Sequence, residues 1–236
     1  MPVPAPPSLP AAAPAPRRRH TAKGERTRAQ ILDAAETLFA QRGYEGVSLR
    51  EILELAGVQM GQLQHYFPAK EAVFMGVIER RVDAVSQAYG AAVAGLAAAA
   101  ANGTLTLRLV ARAMMAVSRD WQGGEDIGRQ RYLRMTGLSL LSFSQPDFIA
   151  HHRDAYAPLN ARIIDWLGYL YPHSTRQKRE AAFYFMESNL LSLFINIDSL
   201  FARSGAPRSR AAVELLFDEL EDFLTAGVAG LLATTG

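Results

Sequence analysis

Residues 48–71, SLREILELAGVQMGQLQHYFPAKE, decide how the rest of the chain is read. Ser48 with Glu51 three positions on forms a capping box, in which each side chain satisfies a free backbone amide of the other end. Ile52, Leu55 and Ala56 then supply one apolar face. Gly57 is suited to a left-handed turn, and Val58 packs inward behind it. A second short helix follows over about Gln59 to Tyr66, anchored by Leu63 and Phe67 and stopped by Pro68. Two short helices joined by a glycine turn are a helix-turn-helix, whose second helix is the one offered to the major groove of DNA.

Outward from this stretch, helical periodicity runs almost everywhere and no useful length alternates with period two. Upstream, Thr27 and Gln30 form a second capping box, followed by Ile31, Ala34, Ala35, Leu38 and Phe39 on one stripe and by Gly43 as terminator. Downstream, a fourth helix from about Lys70 carries Phe74, Val77, Ile78, Val82 and Val85 and joins headpiece to body. Asn102-Gly103 breaks the chain. A fifth helix from about Thr104 aligns Leu107, Val110, Ala113, Met114, Val117 and Trp121, and Gly123-Gly124 ends it. A sixth covers about 127–143. A seventh covers about 147–171, kinked at Pro158. Residues 176–203 are apolar nearly all round, and 208–232 form the last helix. The pattern predicts an all-α fold of about nine helices. It divides into an arm (1–22), a helix-turn-helix domain (23–70) and a helical body (71–236).

Composition narrows the function classes. With 49% hydrophobic residues the chain can build a substantial core, and with no cysteine it has neither a disulfide framework nor thiolate chemistry. That composition fits a cytoplasmic protein. Seven of the 12 prolines fall in the first 16 residues, which excludes helix or secretory h-region there and implies a disordered arm. No segment reads as the roughly 18–20 apolar residues of a membrane span, so no membrane partner is expected. Six basic residues between positions 17 and 28 (Arg17, Arg18, Arg19, Lys23, Arg26, Arg28) oppose only Glu25, although the whole chain carries +2. A basic end on a mildly acidic body points to a localised anionic partner.

The reading helix carries the matching chemistry. Gln59, Gln62 and Gln64 have amides that donate and accept at base edges, and Met60 suits a thymine methyl. Gly61 lets the backbone come close. His65, Tyr66 and Lys70 suit phosphate, as do Ser48 and Arg50 at the start of the preceding helix. From Thr27 to about Ile78 the chain resembles the TetR family of transcriptional regulators, in ILDAAETLFAQRGYEGVSLREIL, then AGV, then LQHYFPAKEAVF. The resemblance implies an all-helical homodimer with an N-terminal DNA-reading domain. It also implies a C-terminal domain that holds a small-molecule inducer and dimerises through its last two helices. The chain departs from the family pattern at Met60 (usually basic or hydroxyl), Gln62 (Ser or Thr), Gln64 (often Tyr) and Ala69 (often Ser). These positions bear on which operator is read.

Site expectations for the body rest on weaker signals. Met114, Trp121, Arg134, Phe148, His152, Tyr156, Trp166, Met186 and Asn189 are candidates for an effector pocket, each with core packing as the plainer role. An aromatic-rich body suggests an apolar or aromatic effector. Helices apolar on two sides need a second cover, and a two-fold copy supplies it. Phe194, Ile197, Phe201, Leu216, Leu220, Phe223 and Leu224 are the candidate dimer contacts. His151, His152 and His173 lack the spacing of a metal site, no cofactor motif is present, and no paired acid/base or nucleophile signature marks an enzyme. The sequence thus predicts a ligand-responsive, homodimeric repressor of a near-palindromic operator. An activator or a ligand-independent regulator remains open, as does, in another class, a helical carrier or enzyme.

Overall fold

The computed structural model describes residues 22–142 and 146–233, without the side chain of Pro146. Among the described residues ten helices follow one another: α1 (Ala22–Arg42), α2 (Leu49–Ala56), α3 (Met60–Tyr66), α4 (Lys70–Glu79), α5 (Val82–Ala101), α6 (Leu107–Gly123), α7 (Ile127–Ser142), α8 (Pro146–Leu170), α9 (Arg176–Ser204) and α10 (Arg210–Ala233). No strand occurs among the described residues. The all-α expectation stands, with one helix more than the periodicity suggests.

The extra helix comes from a break at Arg80 and Arg81. The apolar stripe from Phe74 to Val85 runs through this point and neither glycine nor proline stands at residues 77–85, so nothing local marks it. Tertiary ion pairs hold it instead. Arg80 reaches back to Asp33 at 2.7 Å and to the Ala29 carbonyl at 3.1 Å. Arg81 leaves helical geometry (φ −128°, ψ −10°) and pairs with Glu36 at 3.2 Å and Asp126 at 3.3 Å.

At the other end, α1 begins five residues before the expected Thr27 cap. The Thr27 hydroxyl donates to the Lys23 carbonyl at 3.2 Å, inside the helix. Lys23, Arg26 and Arg28 are therefore helical residues and not part of a loose arm. The Arg28 guanidinium lies 5.4 Å from the centre of the Phe67 ring. Arg17, Arg18 and Arg19 lie outside the described residues.

The headpiece core is built by Ile31, Leu32, Ala35 and Phe39 of α1, Ile52 and Leu53 of α2, Leu63 and Phe67, and Val73, Phe74, Val77 and Ile78 of α4. In α2 the inward pair is Ile52 and Leu53. Leu55, expected inside, is 54% exposed. The same cluster continues into the body through Trp121, Tyr132, Leu133, Met135 and Phe148. The body core is closed by α5, α6, α8, α9 and α10. Glu221 of α10 is fully buried and held by Arg108 and Arg112 of α6 at 2.8–2.9 Å. Gly137 of α7 allows close contact with α9, because a Cβ there would meet the Leu191 carbonyl and the Ile195 side chain at 3.1 Å.

One expectation about membranes needs correction. The 20 residues of α5 form a helix long and apolar enough, by length and composition, to cross a bilayer, with mean hydropathy 1.3 in its most apolar stretch. Its apolar character is mostly alanine, and Val93 and Leu96 are buried in the body core.

Candidate nucleic-acid interface and ligand cavity

The turn between α2 and α3 is fixed by backbone chemistry that the sequence announces. The Glu51 amide donates to Ser48 Oγ at 3.3 Å, and the Ser48 amide donates to Glu51 Oε2 at 2.8 Å. The Ser48 amide and hydroxyl, which both donate to Glu51 Oε2, hold the Glu51 carboxyl down at about 2 together with Arg42. Gly57 takes the left-handed conformation (φ +66°) that closes α2. The Gln59 amide then donates to Gln62 Oε1 at 2.9 Å. That contact uses the Gln62 carbonyl locally and leaves its NH2 group to point outward as a donor.

Gln59, Met60, Gln62, Gln64 and His65 are all exposed, and Tyr66 is half-buried beside His65 with ring centres 4.9 Å apart. Nothing lies within 4 Å of where a Cβ would sit on Gly61. The protein itself does not require glycine there, so close approach from outside remains its physical reason. Arg50 is 84% exposed at the side chain and pairs with Glu54 one turn on at 3.1 Å.

Lys70 is placed differently from its expected role as a free phosphate contact. Its ammonium donates to the Tyr44 and Val47 carbonyls, both at 3.0 Å, and sits 4.0 Å from the centre of the Tyr44 ring. The Tyr44 hydroxyl donates to Glu71 Oε1 at 2.7 Å and holds that carboxyl below its usual range. Lys70 is thus a clamp that ties the start of α4 to the loop before α2 and fixes how α3 is presented.

Headpiece and body meet through polar and aromatic contacts. Arg134 is a candidate for the effector pocket by sequence. It donates instead to two backbone carbonyls, Ala40 in the last turn of α1 at 2.7 Å and Ile195 in α9. It thereby satisfies a helix-end acceptor that α1 leaves open. It lines a solvent-facing cleft of about 810 Å³ between α1, α7 and α9, not the apolar cavity described below. The aromatic contacts form a continuous row. Phe39 and Tyr44 lie 5.3 and 5.4 Å from Phe74, and Phe74 lies 5.4 Å from Phe148 of α8. Phe148 lies 5.7 Å from His152, His152 4.5 Å from Tyr156, and Tyr156 6.2 Å from Tyr89 of α5.

The inner end of that row opens on a cavity of about 110 Å³ inside the body. Of the residues expected to line an effector site, Met114, His152 and Tyr156 do so. The others serve elsewhere. Trp121 packs on Tyr132 at 5.7 Å beneath the Arg129 guanidinium. Phe148 is the wedge between headpiece and body. Met186 is buried in the body core, and Trp166 packs against that core from its edge. Asn189 lies in an outer groove and donates to the Phe185 carbonyl at 2.7 Å.

Sequence reasoning missed Tyr89, Asn160, Thr136 and Glu187 as cavity residues. The available signal was polarity on an otherwise apolar face, clearest for Glu187 in the middle of α9. The Tyr89 hydroxyl donates to Asn160 Oδ1 at 3.2 Å. Tyr132, Tyr156 and Thr136 bring their hydroxyls together, yet the buried Tyr156 and Thr136 oxygens make no well-aligned hydrogen bond. Burial, reinforced by His151, holds the His152 imidazole down at about 4, so it is neutral at pH 7. Burial also pushes the Glu187 carboxyl up.

The candidate dimer contacts separate by depth. Ile197, Phe201 and Leu224 are enclosed in the chain's own core, and Phe194 is half-buried over the cavity. This removes Ile197, Phe201 and Leu224 from the outer face, because α6 packs against both α9 and α10. Leu216 and Leu220 line an outer groove with Leu193 and Leu200, and Phe223 is 64% exposed near Phe185 at 53%. Gly227 and Gly230 of α10 have open space where a Cβ would be, leaving room for a close neighbour.

Comparison with known proteins adds to this geometry. The model for bacterial regulatory proteins of the tetR family matches residues 31–77, and that for the tetracyclin repressor-like C-terminal domain matches residues 112–227. Over 66 residues, 25% of this chain, it is 42% identical to the HTH-type transcriptional regulator RutR of Escherichia coli (strain K12). Over 61 residues, 26% of the chain, it is 41% identical to the HTH-type transcriptional repressor NemR of the same strain. Each match spans 31% of the relative's length. A solved transcriptional regulator (TerR/AcrR family) from Aquifex aeolicus VF5 shares the fold, with TM-score 0.50 and 18% identity over 87% of this chain and 99% of that one.

Proposed function

The chain belongs to the TetR family of bacterial regulatory proteins, and on that premise we propose that it is a cytoplasmic, homodimeric repressor released from a near-palindromic operator by a small apolar or aromatic effector. The DNA face is α3 with its exposed amide row, Gln59, Gln62 and Gln64, flanked by Met60, His65 and Tyr66. Ser48 and Arg50 at the start of α2 grip phosphate, and the Arg17–Arg19 segment adds sequence-independent attraction. The two-fold axis passes beside the outer face of α9 and α10, where Phe185, Leu216, Leu220 and Phe223 lack cover in a single chain. No role as an enzyme is needed to account for any of these features.

The observation that carries ligand response is the shared ownership of the cavity wall. Val85 and Tyr89 of α5 and Tyr132, Leu133 and Thr136 of α7 line it. The same two helices hold the headpiece, α7 through Arg134 and the Ala40 carbonyl, and α5 through Arg81 and Glu36 at its start. At about 110 Å³ the cavity is smaller than the roughly 300 Å³ at which ligand pockets usually begin. An effector larger than a single ring must therefore spread α5 from α7, and the headpieces move with them. The shift in DNA affinity can be no larger than the effector's preference for the spread state.

Selection of genomic DNA fragments by the purified protein, without ligand, tests this reading. Recovery of a few near-palindromic sites, with the preferred sequence altered in Gln64→Ala, is the expected result. Recovery of DNA without sequence preference would mean that the headpiece does not read bases.

A further inference from the structure

Glu187 sits at the centre of the inward face of α9 and lines the body cavity together with Tyr89, His152, Tyr156 and Phe194. No lysine or arginine lines that cavity, and the one histidine is neutral at pH 7. Among the described residues Glu187 has no ion pair and no hydrogen bond, and burial alone shifts its carboxyl, with no opposing cation. Elsewhere in this protein buried acids are matched. Glu36 has Arg81, and Glu221 has Arg108 and Arg112. A half-buried carboxylate without a donor destabilises the fold, and an amide or an aliphatic group would fill the same space at lower cost.

The aromatic faces around it make sense of the exception. Rings present negative potential at their faces, so a pocket walled by Tyr89, Tyr156 and Phe194 and floored by a carboxylate is favourable to positive charge. We propose that the effector carries a cationic group, an amine or quaternary ammonium on an apolar or aromatic body, with Glu187 as its counter-ion. The inference rests on the reading of this cavity as the effector site. The Asn160 amide and the Tyr156 and Thr136 hydroxyls are then available to orient the rest of the ligand.

The test is calorimetric titration of the full chain with 3-hydroxyphenyltrimethylammonium and its uncharged isostere 3-tert-butylphenol, on the natural protein and on Glu187→Gln. The natural protein should bind the cation at least about tenfold more tightly than the phenol. Glu187→Gln should abolish that preference by weakening binding of the cation about tenfold. It should also melt at a higher temperature without ligand, because the uncompensated carboxylate is gone. Equal affinity for the two probes, or a cation preference that survives in Glu187→Gln, overturns the proposal. If only the phenol binds, and Met114→Trp blocks it, the charge assignment fails while the effector cavity stands. If neither probe binds, the cavity reading fails with it.

Discussion

The headpiece and the body place their working surfaces on opposite sides of their cores. In the headpiece the core is local and the function faces solvent, so Gln59, Gln62 and Gln64 have no part in packing and their chemistry is visible as chemistry. In the body the function faces inward, and a cavity is walled by the same residue types that fill any core. Met114 and Met186 look alike along the chain, yet one lines the cavity and the other is sealed behind it. A surface site leaves a sequence signature because folding does not need its residues. An internal site leaves one only where a polar group breaks the apolar pattern, as Glu187 and Asn160 do.

The contrast is sharpest where the two regions share a core, and there the largest effect is expected. Phe74 is fully buried with Phe39 and Tyr44 on one side and Phe148 of the body on the other. Phe74→Ala should cost about 3–5 kcal/mol, the range for a large ring lost from a packed interior. If headpiece and body melt as one unit, urea unfolding followed by circular dichroism will show a single transition moved to lower denaturant. A split into two transitions would show that the shared aromatic row is all that couples them.

Next in size is the polar side of the same junction. Burial raises the Glu36 carboxyl, and the Arg81 guanidinium opposes that rise. A carboxyl raised on folding favours the native state at low pH, and that contribution is lost as pH climbs through the folded value. Arg81→Ala removes the opposing charge and raises the carboxyl further. The variant should lose about 3 kcal/mol at pH 8, the scale for a buried acid deprived of its partner, and part of this should return in acidic buffer as Glu36 takes up a proton. Denaturation midpoints at the two pH values decide it. A loss independent of pH would show that Arg81 acts through packing alone.

The same junction shows where sequence reading stops. The helix-turn-helix was legible because its determinants are neighbours: Ser48 with Glu51, Gly57 at the turn, Leu63 and Phe67 at helical spacing. The break at Arg80–Arg81 was not, because it is imposed by Asp33, Glu36 and Asp126, 45 to 47 positions away in sequence. Arg134 misled for a related reason. An arginine among apolar positions suggests a ligand-facing charge, and only the fold brings the carbonyls of Ala40 and Ile195 to it. The last two helices were legible as a pair needing cover on two sides. Which residues face which side depended on where α6 lies, so Ile197, Phe201 and Leu224 went inward while Leu216, Leu220 and Phe223 stayed outside.

The smallest expected effects separate presentation from contact within the headpiece itself. Lys70 and Arg50 are both cations beside the reading helix, but Lys70 is committed to two loop carbonyls and Arg50 only to an exposed pair with Glu54. Lys70→Ala should destabilise the headpiece by about 1–2 kcal/mol through unsatisfied carbonyls and weaken all DNA binding, with the dependence of log affinity on log salt unchanged. Arg50→Ala should change stability by less than about 0.5 kcal/mol while lowering that salt slope by about one, the signature of one lost phosphate contact. Binding titrations on one duplex at several salt concentrations give both slopes. A reduced slope for Lys70→Ala would restore lysine to the phosphate-contacting set, since its ammonium has a third proton to give. An unchanged slope for Arg50→Ala would move the start of α2 off the DNA.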